Sequence, residues 1–150
     1  MLREELQNCL KEAMKSRDIQ TVNAVRLIIA GQKEKDVEAR GKGLAQASDA
    51  DLLAMMQTMI KQRKESIQIY KEGNRQDLAD KEQGEIDVIS RFLPKQLNAD
   101  EMKAVIQKAI ADTGAAGIKD MGKVMAALKA QYAGQMDFGA ASAVIKQLLA

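Results

Sequence analysis

The stretch from Asp49 to Glu72 reads DADLLAMMQTMIKQRKESIQIYKE and contains neither glycine nor proline. Its apolar residues Leu52, Met56, Met59, Ile60, Ile67 and Tyr70 recur at steps of three, four and seven, the spacing of one helix face. A run this long is not a strand. Ser48 just before it, with Asp51 three residues on, resembles a capping signal, although Glu or Gln is the usual partner. The pattern predicts one long helix from about Asp49, stopped by Gly73.

The same period continues on both sides. Leu2, Leu6, Cys9, Leu10 and Ala13 predict a helix over about 2–16. Ile19, Val22, Val25, Ile28 and Ile29 predict a second one to about Ala39, closed off by Gly41 and Gly43. After Gly73, a fourth helix is expected from about Gln76 to Phe92. Pro94 is the one proline of the chain, and it disfavours helical geometry at Leu93, so Leu93–Leu97 reads as a linker. Asn98, with Glu101 three residues later, then opens a fifth helix to about Asp112. Sixth and seventh helices are expected over about Asp120–Ala133 and Phe138–Leu149, separated by Gly134. No segment shows strand alternation. The expectation is an all-α chain: an N-terminal bundle of about four helices over residues 1–93 and a small three-helix domain over 94–150.

Composition narrows the chemistry. The 150 residues are 46% hydrophobic and 29% charged, which suits a folded globular chain. With no histidine, histidine triads and histidine metal sites are excluded. The lone Cys9 forbids an internal disulfide and fits a reducing compartment. The N-terminus carries acids by its fifth residue, unlike a secretory signal, and no segment has the length of a membrane span; the expected location is cytoplasmic. Only 3% of residues are aromatic, too few for a base-stacking platform. Gly41-Lys42-Gly43 lacks the glycine spacing and hydroxyl of a phosphate loop. Asp36, Glu38, Asp49 and Asp51 lack the spacing of a calcium loop. No catalytic residue, metal ligand or cofactor is assigned.

Two charges fall where a core is expected. Arg63 lies four residues after Met59 and four before Ile67; Glu82 lies four after Leu78 and four before Ile86. A buried charge is costly unless paired, so an Arg63–Glu82 ion pair between the third and fourth helices is expected. It serves either to fix helix register or to form a polar pocket. Glu82 and Glu85 are three apart on one helix face; such a carboxylate pair reads as solvated surface before it reads as an acid–base pair for catalysis. Gly31 and Gly84 inside helices cost about 1 kcal/mol each against Ala and point to close helix approach.

Charge also divides at Pro94. Residues 1–93 hold 16 basic and 16 acidic side chains; residues 94–150 hold seven lysines, no arginine and five acids. Lys119 and Lys123 share a face beside Gly117, and Lys129 and Lys146 join them if the packing allows. Such lysines are either scattered surface or contacts to a phosphate backbone, which needs charge and reach but no rigid fork.

The run Lys61-Gln62-Arg63-Lys64-Glu65-Ser66-Ile67, followed by Tyr70, Gly73, Arg75, Asp77-Leu78-Ala79, Lys81-Glu82, Glu85-Ile86, Phe92-Leu93-Pro94 and Gln96-Leu97, resembles the YqeY branch of the GatB/YqeY family. Arg26-Leu27 fits the second helix of that pattern. Gly122-Lys123-Val124-Met125, Gly134, Asp137, Val144 and Lys146-Gln147-Leu148-Leu149 resemble the tail shared with GatB, the tRNA-binding subunit of an amidotransferase. The resemblance implies an all-helical fold whose tail contacts tRNA, and a link to carbon–nitrogen ligase chemistry with glutamine as amido donor. It covers only the helical and tail part of GatB, and nothing here resembles that subunit's catalytic cradle or a glutaminase nucleophile motif.

The leading expectation is a cytosolic, non-catalytic tRNA-binding accessory protein using Lys119, Lys123, Lys129 and Lys146. The second is a carbon–nitrogen ligase component working with partners of the translation or amidotransferase machinery, with Arg63 and Glu82 at a pocket. The third is a helical adaptor using a Met/Ala face of the tail.

Overall fold

A computed structural model describes all residues, 1–150. The chain is all-helical, and its helices group into two compact units, Met1–Leu93 and Pro94–Ala150. The first holds α1 (Leu2–Lys15), α2 (Ile19–Gly41), α3 (Asp49–Glu72) and α4 (Gln76–Ser90). The second holds α5 (Ala99–Thr113), a 3₁₀ turn (Ile118–Asp120), α6 (Met121–Tyr132) and α7 (Phe138–Leu149).

Local chemistry sets most of the ends. Asp18 caps α2, accepting from the Thr21 amide at 3.1 Å and the Thr21 hydroxyl at 2.6 Å. Ser48 and Asp51 cap α3 reciprocally: the Asp51 amide donates to Ser48 Oγ and the Ser48 amide to Asp51 Oδ2, both at 3.1 Å. Aspartate thus replaces the usual glutamate in this box. Asn98 caps α5 through the Glu101 amide at 2.8 Å, and Gly114 closes it in the left-handed region at φ +67°.

Three boundaries differ from the sequence expectation. α2 runs on to Gly41, and Gly43 at φ +81° makes the turn that follows. α4 ends at Ser90, because Arg91, Phe92 and Leu93 bond back three residues to Val88, Ile89 and Ser90. The last turn tightens ahead of Pro94, which denies Leu93 a helical conformation. Asp120 belongs to the 3₁₀ turn instead of opening α6; its carboxylate accepts from the Ala116 amide at 3.0 Å.

The first unit closes over Leu6, Val25, Ile28, Leu52, Met56 and Ile89, all fully buried. On α3 only Leu52 and Met56 are buried; Met59, Ile60, Ile67 and Tyr70 are half-buried. Ile19, expected on the inner face of α2, is 71% exposed, because the buried face runs through Thr21, Val22, Ala24, Val25 and Ile28, on the other side of the helix. Gly84 faces α2, where a Cβ would meet the side-chain amide of Gln20, so a larger residue there requires that exposed side chain to move aside. The second unit closes over Ile106, Val124, Leu128, Ala141 and Ile145. Residues after Pro94 are pinned to it: the Leu97 amide donates to the Gln135 carbonyl at 2.8 Å, and the Gln96 side-chain amide donates to the Gly134 carbonyl. No helix is long and apolar enough to cross a membrane.

Candidate functional site

Arg63 stands on α3 where the buried stripe gives out. Its Nε donates to Glu85 Oε2 at 2.8 Å and its Nη1 to the Met59 carbonyl at 3.1 Å. Glu82, the expected partner, lies 3.9 Å from Nε without a hydrogen bond. The expected Arg63–Glu82 ion pair is thus present, and Glu85, not foreseen as a partner, joins it and takes the hydrogen bond. Glu85 is not solvated surface, since its side chain is 15% exposed, against 14% for Arg63 and 23% for Glu82. One turn of α4 brings both carboxylates to α3, and the one nearer the core is better placed to meet the guanidinium. One guanidinium thus faces two carboxylates, leaving a net negative charge.

A second polar centre has no counterpart in the sequence reading. Arg3 on α1 grips Asp36 on α2 with two parallel bonds of 2.8 and 2.7 Å. Arg3 Nη2 also donates to the Ala47 carbonyl at 2.8 Å, and the Ala47 amide donates to Asp36 Oδ1 at 2.9 Å. This joins the start of α1, the end of α2 and the loop before α3. The Arg3 guanidinium, and then the Ala47 amide, hold the Asp36 carboxyl down at about 2. Arg75 and Asp77 are also bidentate, but Arg3–Asp36 is shorter, less exposed and joins separate segments. Its one sequence signal was an aspartate in line with Ile28 and Gln32 on the inward face of α2. The partner, 33 residues away, could not be read.

In the second unit Lys119, Lys123, Lys129 and Lys146 are all exposed. Lys119, on the 3₁₀ turn, and Lys123, in the first turn of α6, stand about one turn apart. Exposed Ile118 lies beside them. Lys129 does not join this pair. It sits about 9 Å further along α6 and on another face, with its ammonium 6.0 Å from the Phe138 ring centroid. Lys146 stands apart, in the last turn of α7. All the ion pairs of the molecule lie in the first unit. No group of three or more Cys, Asp or Glu side chains is placed to hold a metal ion.

Comparison with known proteins gives the family. The sequence profile described as Yqey-like protein matches residues 3–149. Among curated proteins, "Altered inheritance of mitochondria protein 41, mitochondrial" from Lachancea thermotolerans and from Saccharomyces cerevisiae is each 35% identical over 88 residues, 59% of this chain and 46% of the relative. The Candida glabrata protein of that name is 33% identical over 88 residues, 59% of this chain and 47% of the relative. The chain spans about half the length of the curated relatives it matches. These names overturn the cytoplasmic location expected from the sequence. A receptor-read targeting segment is removed from the mature protein, so the composition of a helical domain carries no address. Over nearly its whole length, with Arg63 and Glu85 paired across α3 and α4, the chain belongs to the YqeY-like family.

Proposed function

We propose that this chain is a non-catalytic accessory protein that binds RNA, tRNA foremost, through its C-terminal unit. The observation that carries the reading is the state of the lysines there. All seven are exposed and none is held in an ion pair, while Lys119 and Lys123 stand together beside the Gly117 loop. Lysine on a long stem suits a phosphate backbone, where charge and reach decide affinity and base identity is not read. The tail's resemblance to GatB, through Gly122-Lys123-Val124-Met125 and Lys146-Gln147-Leu148-Leu149, supports tRNA over other polyanions.

The test is titration of the full chain with purified tRNA at low and at physiological salt, alongside K119Q/K123Q. Saturable binding that falls with salt is expected. The double variant should bind about tenfold more weakly, with a log–log salt slope shallower by about 1.5, since each phosphate contact contributes roughly 0.7 to 0.9. Equal affinity of the two proteins would remove Lys119 and Lys123 from the interface, and no binding by either would end the RNA reading.

A further inference from the structure

In the first unit, α2 and α3 diverge over an open trough of about 730 Å³. It runs from Lys42 and Leu44 at one end to Arg63 at the other. Along α3 this is Asp51 to Arg63, about 18 Å of helix axis. The trough is long, open and walled by two helices. It fits one row of side chains, as when an amphipathic helix lays its apolar edge into a groove.

The wall chemistry agrees. Met55 lies over Gly31, where a Cβ would come within 2.7 Å of its sulfur, and Met59 continues the same wall. Thioether side chains adapt to an incoming apolar residue. Ala30 and Ala54 leave the walls low, and Leu27 and Leu44 stand exposed toward opposite ends. Most charges on the rim are already engaged. Lys35 pairs with Glu38 at 3.0 Å, Asp51 is held by the Ser48 hydroxyl at 2.8 Å, and Arg63 by Glu85. Glu34 and Lys42 have no ion-pair partner, and they stand eight residues apart on one side of α2, about 12 Å along its axis.

We propose that the trough is the docking site for an amphipathic helix of a protein partner, whose apolar row packs on Met55 and Met59 while a basic residue meets Glu34 and an acidic residue meets Lys42. The unpaired acid in mid-trough and the unpaired base at its end select the occupant and its direction. This goes beyond the RNA reading and is independent of it, since it uses the other unit.

The probe is a synthetic amphipathic peptide of about 16 residues with leucines at i, i+4 and i+7, carrying Arg and Glu eight positions apart. Its twin has the two charges exchanged. Each is titrated into the full chain labelled at its methionine methyl groups. The matched peptide should shift the Met55 and Met59 signals and bind at least tenfold tighter than the twin. The E34K/K42E protein should invert that preference, and A54R, at an exposed wall position, should weaken the matched peptide at least tenfold with an unchanged urea midpoint. Equal binding of the two peptides, or unmoved Met55 and Met59 signals, would overturn the proposal even if a variant failed to fold, because both readings come from the unaltered chain. A concentration-dependent dimer in sedimentation, abolished by A54R, would also overturn it and give the trough to a second copy.

Discussion

The two units treat charge in opposite ways. In residues 1–93 the basic and acidic side chains are equal in number, and the most buried of them are locked together: Arg3 on Asp36, and Arg63 on Glu85 and Glu82. In residues 94–150 every basic residue is a lysine, all are exposed, and none is ion-paired. The N-terminal unit uses arginine, whose planar fork holds a fixed geometry, to tie helices that are far apart in sequence. The C-terminal unit builds its core from Ile, Val, Leu, Met and Ala and leaves flexible ammonium groups in water. Charge that fixes architecture is thereby separated from charge available to a partner, and each class should respond to a different measurement.

The largest effect should come from removing the guanidinium at the α3–α4 junction. Arg63→Leu leaves two carboxylates adjacent, both less than a quarter exposed, with no cation between them. Loss of about 3 kcal/mol in urea unfolding is expected, because breaking one side of a buried pair leaves uncompensated charge. Affinity for tRNA at a temperature where the variant is folded should not change. A parallel loss of both would break the division between structural and partner charge.

The two carboxylates sharpen the point. Glu85→Gln weakens a charge-assisted bond of 2.8 Å and should cost about 1–2 kcal/mol. Glu82→Gln removes a charge that has no hydrogen bond to Arg63, and the change should stay within about 0.5 kcal/mol. If the order were reversed, Glu82 would be the true partner.

Acid should probe Asp36 in the same unit. Its folded carboxyl is held at about 2, below the usual value near 3.9 in an unfolded chain. A group depressed on folding adds stability above its unfolded value, and that stability is lost as pH falls through the folded value. The urea midpoint should therefore fall between about pH 4 and pH 2. In Asp36→Asn the midpoint should start lower at neutral pH, and this part of the fall should flatten. An unchanged acid profile in the variant would show that Asp36 does not carry it.

Much of this architecture was open to reading from residue spacing, and the exceptions have physical causes. Ser48, Asn98, Gly73 and Pro94 act on neighbours within a few residues, so the bounds of α3 and the start of α5 follow from the sequence. The charged face of α3 was legible because Arg63 interrupts an apolar period. Glu82 was legible as its partner for the same reason, but the hydrogen bond to Glu85, one turn further along α4, was not, because it depends on how α3 and α4 pack. Asp36 was invisible as a tie because Arg3 and Ala47 meet it only after three separate segments fold. The trough between α2 and α3 was hidden for the same reason, since neither helix alone shows that it leaves its neighbour.

The smallest expected effect tests the lysine surface from within. Lys129 lies on another face of α6 from Lys123, and its ammonium already sits over Phe138, a contact worth about 0.5–1 kcal/mol at an exposed site. A phosphate bound there would have to share that ammonium with the ring and would lie apart from the Lys119–Lys123 pair. Lys129→Gln should therefore lower tRNA affinity less than twofold, against about tenfold for K119Q/K123Q, with a salt slope matching the unaltered chain. If Lys129→Gln instead equalled the double variant, the bound RNA would wrap around α6, and the lysines would act as one continuous surface instead of a pair beside the Gly117 loop.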